Sequence, residues 1–267
     1  MNPLAASRKY AYAFRLRVME LMAYKGDFIA RWVIMPFTLA VYYFLYGTIY
    51  AFNPSFAGTT FYGMLAYLFL TLCFRRMGTY SNESDQVERE LKKGDFLGYL
   101  VRPIHYMVFR LSMRTASLVV VGLTILPFMI LVVLAVTPNS FSLPRLALAL
   151  VLSFLGFVAS FEIFYSIGLL AFWLEETWGV KRGINTLAWL LSGSVFPLHI
   201  LSPELQLLAH ALPFKHQAAV PAQLLLGQAG LAQFTDSIIM LGIWIAGLYL
   251  VQNWLWEKGL RKHDGKG

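Results

Sequence analysis

The stretch LSMRTASLVVVGLTILPFMILVVLAV, residues 111–136, decides the fold class of this chain. A helix needs about 20 mainly apolar residues to cross the hydrocarbon layer of a membrane, and this stretch supplies them with one charged residue, Arg114. The rest of the chain has the same character. Of its 267 residues, 58% are hydrophobic and 13% are charged, whereas soluble domains carry about 25% charged residues. The composition therefore predicts an integral membrane protein.

Six windows of this kind predict six transmembrane helices. The windows are apolar on all sides, whereas the strands of a membrane barrel would alternate apolar and polar residues, so we expect an all-α integral membrane fold. No short apolar core with a cleavage site precedes them, so we expect no signal peptide. The windows run near Phe28–Phe52, Thr59–Phe74, Leu111–Val136, Leu146–Trp173, Ile184–Leu201 and Phe234–Trp256.

The distribution of basic residues predicts the orientation. Cytoplasmic loops of membrane proteins are enriched in Lys and Arg. With the N-terminus inside, all of the 22 Lys and Arg residues fall on the cytoplasmic side except Arg145 and Lys215. We therefore expect a multi-pass protein of the bacterial inner membrane, surrounded by lipid, with both termini in the cytoplasm. The net charge of +8 follows from this topology, so we expect no nucleic-acid partner.

Two segments outside the spans are predicted to lie at or in the membrane surface. Residues 1–27 predict an amphipathic interfacial helix, and residues 28–267 form the six-span domain. Between spans five and six, residues 202–230 contain two short apolar pieces that are broken by prolines. Neither piece can cross a membrane, so we expect a re-entrant helical hairpin that dips in from the outside.

A short charged helix is predicted between spans two and three, at residues 85–94. Asp85 can cap its N-terminus, with Glu88 three residues later as in a capping box. Lys92 precedes the stop at Gly94. A helix this short is unstable alone in water, so it needs a surface to lie on. The alternative is a solvated loop, but the adjacent apolar stretch FLGYLV, residues 96–101, favours a contact surface.

The sequence lacks the motifs of catalysis and nucleotide binding. It contains no G-x-x-x-x-G-K-[ST], no H-E-x-x-H and no G-x-S-x-G. His210 and His216 share one external loop, but no acidic residue is placed to complete a site with them. Cys73 is the only cysteine and lies within a span. We therefore expect no catalytic residue, no metal site and no cofactor bound by this chain.

Four polar or aromatic side chains inside the spans are candidates for a substrate pathway. Glu162 lies well inside span four, where a charge costs at least ~2.5–3.5 kcal/mol, so it either makes a hydrogen bond between helices or faces a substrate route. Tyr165 lies one turn further along the same span. In span one, Tyr43 and Tyr46 belong either to an aromatic belt at the interface or to a stacking surface for an apolar or cationic substrate.

Two stretches carry a resemblance to a known family. The stretch LKKGDFLGYLVRPI is similar to the phrase I-x-x-G-x-L-D-x-L-L-L-R-P of one branch of the ABC type-2 transporter permeases, although Asp95 is displaced from the Asp of that phrase. The stretch from Ser192 to Gly227 resembles the same family in its Ser-Pro break, its LPF and its P-A-x-L-L-L-G. The residues that fit the first phrase are Gly94, Leu100, Arg102, Pro103 and Ile104.

The resemblance implies an ATP-driven exporter. In this family two permeases, identical or different, pair in the membrane, and each binds one copy of a separately encoded cytoplasmic ATPase that holds ATP and Mg²⁺. Substrates across the family include drugs, lipids and polysaccharides. The helix at residues 85–94 would be the coupling helix, with Val87 and Leu91 filling a groove of the ATPase. The coupling residues would be Val87, Glu88, Arg89, Glu90, Leu91, Lys92, Gly94, Asp95, Leu100, Arg102 and Pro103.

Two other functions stay open at the level of the sequence. A secondary transporter would require several ionisable residues within the membrane for ion coupling, and often an inverted repeat. An integral-membrane lipid-modifying enzyme would require clustered carboxylates or histidines at the interface. The spans show one well-embedded ionisable residue, Glu162, and no such cluster or repeat, so the sequence favours the exporter.

Overall fold

The computed structural model describes residues 3–23, 25–78, 82–101 and 104–264, and these ranges fold into α-helices joined by short turns, without strands. Short 3₁₀ turns at Phe56–Gly58, Pro138–Ser140, Leu170–Phe172 and Leu198–Ile200 lie between some of them. The α-helices are α1 Pro3–Ala23, α2 Lys25–Phe52, α3 Phe61–Gly78, α4 Asn82–Lys93, α5 Leu97–Leu100, α6 Tyr106–Val136, α7 Leu143–Leu169, α8 Trp178–Leu191, α9 Pro203–Ala211, α10 Pro213–Gln217, α11 Ala219–Leu225 and α12 Leu231–Asp264.

Among the described residues, four helices are long and apolar enough to cross a membrane. They are Met35–Phe52 within α2, Tyr106–Val136, Leu143–Phe172 and Leu231–Lys262. This confirms the prediction of an all-α membrane protein. The second and fifth predicted windows correspond to α3, with 18 residues, and α8, with 14 residues. A helix of 14 residues is about 21 Å long and cannot cross a hydrocarbon layer of about 30 Å by itself, so the count of six spans stays a prediction.

Helix α7 lies at the centre of the bundle. In its most apolar window 61% of the residues are buried within the chain, against 22% or less in the other three long helices. Its start is fixed by Pro144 in the first turn and by Ser142, whose hydroxyl accepts a hydrogen bond from the Arg145 N–H at 3.4 Å. The large apolar surface left on α2, α6 and α12 is therefore available to lipid or to partner proteins.

The chain leaves the helical conformation directly after α8. Gly193 adopts a φ of 79°, which favours glycine, and the backbone then runs on without an α-helix as far as α9. Two tyrosines of α2 satisfy carbonyl groups of this unwound segment: the Tyr42 hydroxyl donates to the Ser194 carbonyl at 2.8 Å, and the Tyr46 hydroxyl donates to the Val195 carbonyl at 2.6 Å. Such bonds are needed because lipid offers no substitute partner.

The segment predicted as a re-entrant hairpin forms α9, α10 and α11. Near its entry, the ring of His199 lies 3.2 Å from the carbonyl of Ala57, in the turn between α2 and α3. At its bend, Phe214 is buried among apolar residues of α7, α8 and α12. At its exit, Gly227 packs closely on Ser140, in the turn between α6 and α7. The segment thus enters and leaves at the same end of the bundle, and its re-entry into a membrane stays a prediction.

The N-terminal helix α1 packs along α6. Ala13 is buried at 1% exposure, and Arg17 Nε donates to the Ser117 hydroxyl at 3.3 Å. The Tyr10 hydroxyl accepts a hydrogen bond from the His105 N–H at 3.1 Å. Helix α1 is therefore attached to the bundle through the N-terminal half of α6.

Candidate functional site

Helix α4 is the predicted coupling helix, and the structure extends it by three residues at its start. It begins at Asn82 rather than at Asp85, so the predicted cap at Asp85 is wrong. The predicted stop is confirmed. Gly94 adopts a φ of 76°, and its N–H donates to the Leu91 carbonyl at 3.3 Å. The extra turn matters because it brings Glu83 into the helix.

The apolar face of α4 packs against the chain itself. Val87 and Leu91 are 0% and 6% exposed, and both belong to a cluster with Phe161 and Leu169 of α7. A Cβ placed on Gly168 of α7 would lie 2.6 Å from the Val87 side chain, so the two helices approach closely. The prediction that Val87 and Leu91 fill a groove of a partner protein is therefore wrong, because an amphipathic helix can bury its apolar stripe within its own chain.

A buried ion cluster ties α4 to the start of α6. Glu83 is 0% exposed and pairs with Arg110 at 2.7 Å, and its other carboxylate oxygen accepts from Arg114. Arg110 also pairs with Glu90 at 2.8 Å, and Glu90 accepts a hydrogen bond from the Tyr106 hydroxyl at 2.7 Å. In the sequence the two arginines were explained by topology alone, and this cluster was not predicted. Their spacing of four residues, one helical turn, was the available signal.

The opposite edge of α4 is tied to the start of α8. Asp85 pairs with Lys181 at 2.6 Å. Glu88 accepts hydrogen bonds from the Thr177 hydroxyl at 2.5 Å and from Lys92 at 2.6 Å. Partial burial alone would raise the pKa of Glu88, but the bonds from Lys92 and Thr177 outweigh burial and hold this pKa below its usual value. Glu88 is therefore a carboxylate at neutral pH.

The remaining face of α4 and the following helix α5 form an exposed surface, which we call the outer patch. It joins exposed charged side chains to exposed apolar ones, with Leu97, Leu100 and Val101 at 44%, 49% and 85% exposure. Two predicted coupling residues, Arg102 and Pro103, lie outside the described residues. The members of the outer patch are Arg89, Lys92, Lys93, Asp95, Leu97, Leu100 and Val101.

The structure does not bring the four predicted pathway residues together. Tyr43 and Tyr46 lie on α2, where Tyr46 is buried at 3% exposure and Tyr43 is 50% exposed. Glu162 is 2% exposed and lies on α7 beside Gln252 of α12, as expected for a polar contact between helices. Tyr165 lines a cavity of about 200 Å³ between the start of α6 and the C-terminal part of α12. These residues occupy two separate regions.

Comparison with known protein families identifies the family of this chain. The family model described as ABC-2 family transporter protein matches residues 37–267, which is most of the chain and includes α4, α5 and the hairpin. The chain belongs to the ABC-2 family of transporter proteins. No curated protein matches the chain in a direct comparison.

Membership of the ABC-2 family gives the site its context. Members of this family are generally the membrane subunits of transporters, and membership implies association with an ABC ATPase. This confirms the resemblance drawn from the stretches around Gly94 and Pro213.

Proposed function

We propose that this chain is the permease subunit of an ATP-driven exporter. It forms the substrate pathway together with a second permease, identical or different, and each permease binds one copy of a separately encoded ATPase that holds ATP and Mg²⁺. The observation that carries the proposal is the position of α4, which is anchored to the bundle on its inner side and presents the outer patch on the other.

The contacts of α4 suggest how a movement of the ATPase reaches the membrane. The outer patch offers basic side chains, Arg89 and Lys93, beside exposed leucines and Val101 for contact with the ATPase. We assign the groove-filling role to Leu97, Leu100 and Val101, because Val87 and Leu91 are buried. A force on this surface acts on α6 through Glu83, on α7 through Val87 and on α8 through Asp85, so α4 moves these helices together.

The described geometry supports six crossings of the inner membrane. In this proposal α2, α3, α6, α7 and α12 each cross, and α8 completes the fifth crossing with the unwound segment that Tyr42 and Tyr46 support. Helices α9–α11 form the hairpin that enters from outside, and both termini lie in the cytoplasm. Lys and Arg side chains then concentrate on the ATPase side, as cytoplasmic loops require.

The substrate pathway is proposed to lie between the two permeases. Glu162, Tyr46 and Tyr165 are buried within one chain, where they hold helices and the unwound segment in place. Tyr43 is half exposed, and its ring makes an edge contact with Phe61 of α3 at 5.4 Å between ring centres. Of the four predicted pathway residues, Tyr43 is the one positioned to meet a second permease or an apolar substrate.

Charge placed in the outer patch tests the assignment. The double substitution Leu100→Asp and Val101→Asp should weaken co-purification of the ATPase by at least about tenfold, because buried apolar contacts at an interface centre are worth more than about 1 kcal/mol each. The fold should persist, since both side chains are exposed. Lys258→Glu, an exposed change on α12, is the matched control and should retain the ATPase. Unchanged recruitment and transport in the double variant would remove the coupling role.

A further inference from the structure

Two histidines and an aspartate meet at the outer end of the bundle, far from the ATPase-binding region in this topology. His210 of α9, His216 of α10 and Asp236 of α12 each offer one ligand atom, and these atoms all lie within 4.8 Å of one another. The sequence predicts no metal site, because the hairpin places no acidic residue where it could complete one. The fold supplies such a residue, Asp236, from the following helix.

The hydrogen bonds of His216 place a lone pair on its Nδ1. His216 is 0% exposed, and its Nε2 lies 2.9 Å from the His210 carbonyl, which can only accept, so Nε2 carries the proton. Its Nδ1 then holds a lone pair, 2.8 Å from the Ser237 hydroxyl. That hydroxyl can donate instead to the Gln233 carbonyl, which also lies 2.8 Å away. The Nδ1 lone pair is then available to a cation.

The other two ligand atoms face each other and are open to solvent. His210 Nε2 lies 3.6 Å from Asp236 Oδ1, and their side chains are 36% and 44% exposed. Two ligands of one tetrahedral Zn²⁺ ion are on the order of 3.3 Å apart, given metal–ligand bonds of about 2.0–2.1 Å. Small side-chain rotations therefore suffice to close the site. One contact opposes metal binding. Lys215 Nζ lies 2.7 Å from His210 Nδ1, and it must move away from this nitrogen before an ion can bind.

We propose that His210, His216 and Asp236 bind a divalent transition metal ion of the Zn²⁺ type. The ligands are His210 Nε2, His216 Nδ1 and the Asp236 carboxylate, and the fourth position is open to water. Imidazole ligands favour such ions over Mg²⁺ and Ca²⁺. The His210 carbonyl already holds His216 in the required tautomer, as is common for metal-binding histidines. The ion would join α9 and α10 to α12, and this inference does not depend on the proposed transport function.

Titration of the purified full-length chain with Co²⁺ tests the site, because tetrahedral Co²⁺ has a characteristic visible absorption. We expect one Co²⁺ per chain, displaced by Zn²⁺. Asp236→Asn and His210→Ala should weaken binding by more than about 100-fold, since even residues that only support metal ligands cost 10–100-fold. Both residues are partly exposed, so these variants should fold. Lys215→Met should tighten binding about 30-fold, the effect of one unit charge on a divalent ion about 4 Å away in a water-like dielectric.

Two substitutions at the same end of the bundle serve as controls. His199→Ala and Glu204→Gln change an exposed histidine and an exposed carboxylate that do not contact the cluster, and both should bind Co²⁺ as the unmodified chain does. The proposal is overturned if the unmodified chain shows no tetrahedral Co²⁺ spectrum. It is equally overturned if Asp236→Asn and His210→Ala bind Co²⁺ as tightly as the controls.

Discussion

At the scale of single residues, Glu83 makes the most consequential contact of α4. Its carboxylate is fully buried and accepts bonds from both Arg110 and Arg114. Removing one partner of a buried ion pair is strongly destabilising, because the remaining charges stay buried without compensation. The two arginines would then share Glu90 and the Gln86 amide as their remaining partners.

Glu83→Gln should therefore lower stability by about 3–5 kcal/mol. The measurement is the thermal unfolding of the protein solubilised in detergent. Glu257→Gln, an exposed carboxylate of α12, should leave the unfolding temperature unchanged. Equal unfolding temperatures for the two variants would show that the buried cluster does not hold α4.

Glu88 gives the attachment of α4 to α8 a defined pH dependence. A carboxyl group whose pKa is lower in the folded than in the unfolded chain stabilises the fold above its unfolded pKa, and this stabilisation is lost as the pH falls through the folded pKa. The pKa of Glu88 is held below its reference value of 4.5. Its contribution is therefore intact at neutral pH and is lost in acid, below about pH 4.5.

Replacing Glu88 with Gln should make stability less dependent on pH in that range. Unfolding temperatures of the unmodified chain and of Glu88→Gln, compared between about pH 7 and about pH 3, should converge as the pH falls below about 4.5. The hydrogen bond to Thr177 is retained in part by the amide, so the variant should still fold. A constant difference between the two proteins across this range would contradict the role given to Glu88.

At the scale of elements, the short helix α8 depends on tyrosines from α2. The backbone beyond α8 carries carbonyl groups that no helix satisfies, and the hydroxyls of Tyr42 and Tyr46 reach Ser194 and Val195. The two tyrosines lie four residues apart, one helical turn, so they face the unwound segment together.

Tyr46→Phe should destabilise the protein by about 1 kcal/mol, because it removes the hydrogen bond to the partly buried carbonyl of Val195. Tyr43→Phe is the matched control. Tyr43 lies on the same helix but is 50% exposed, and its loss of a hydroxyl should be nearly neutral. Protease resistance of the segment around Val195 and the unfolding temperature report the effect. A larger effect for Tyr43→Phe than for Tyr46→Phe would reverse this interpretation.

The elements also show what the sequence could predict. Length and apolar character predicted α6, α7 and α12, because a membrane imposes both properties on any helix that crosses it. The same criterion cannot distinguish a helix from an extended apolar segment. The window Ile184–Leu201 therefore gave no sign that α8 ends at Leu191. Periodicity identified the apolar face of α4 but not what covers it. The proximity of Asp236 to His210 could not be predicted, because the two residues are far apart in the sequence and only the fold brings them together.

At the scale of the whole molecule, the proposed orientation rests on which end of the bundle carries the charged helices. The ion-paired helix α4, the C-terminal part of α12 and α1 lie at one end, and the turns at Phe56–Gly58 and Pro138–Ser140 lie at the other. The single cysteine, Cys73, is fully buried. Labelling of an introduced, exposed cysteine is therefore not obscured by the native cysteine.

Asn139→Cys and Arg261→Cys should distinguish the two faces of the membrane. Both positions are exposed, the first in the turn between α6 and α7 and the second near the end of α12. A membrane-impermeant maleimide should label Asn139→Cys in intact spheroplasts and should label Arg261→Cys only after permeabilisation. The unmodified chain should stay unlabelled in both conditions. The opposite pattern would invert the orientation and place α4 outside the cell.

The division of α4 into an anchored side and a free side has a consequence for engineering. The residues that hold the helix in its own bundle, such as Glu83, Val87 and Asp85, are distinct from those offered outward, such as Arg89, Lys93 and Val101. If the outer patch binds the ATPase as proposed, replacing only the outward residues with those of a related permease should let this protein recruit the ATPase of that permease. The packing of its own bundle should stay unchanged, so the partner specificity of α4 can be altered separately from its stability.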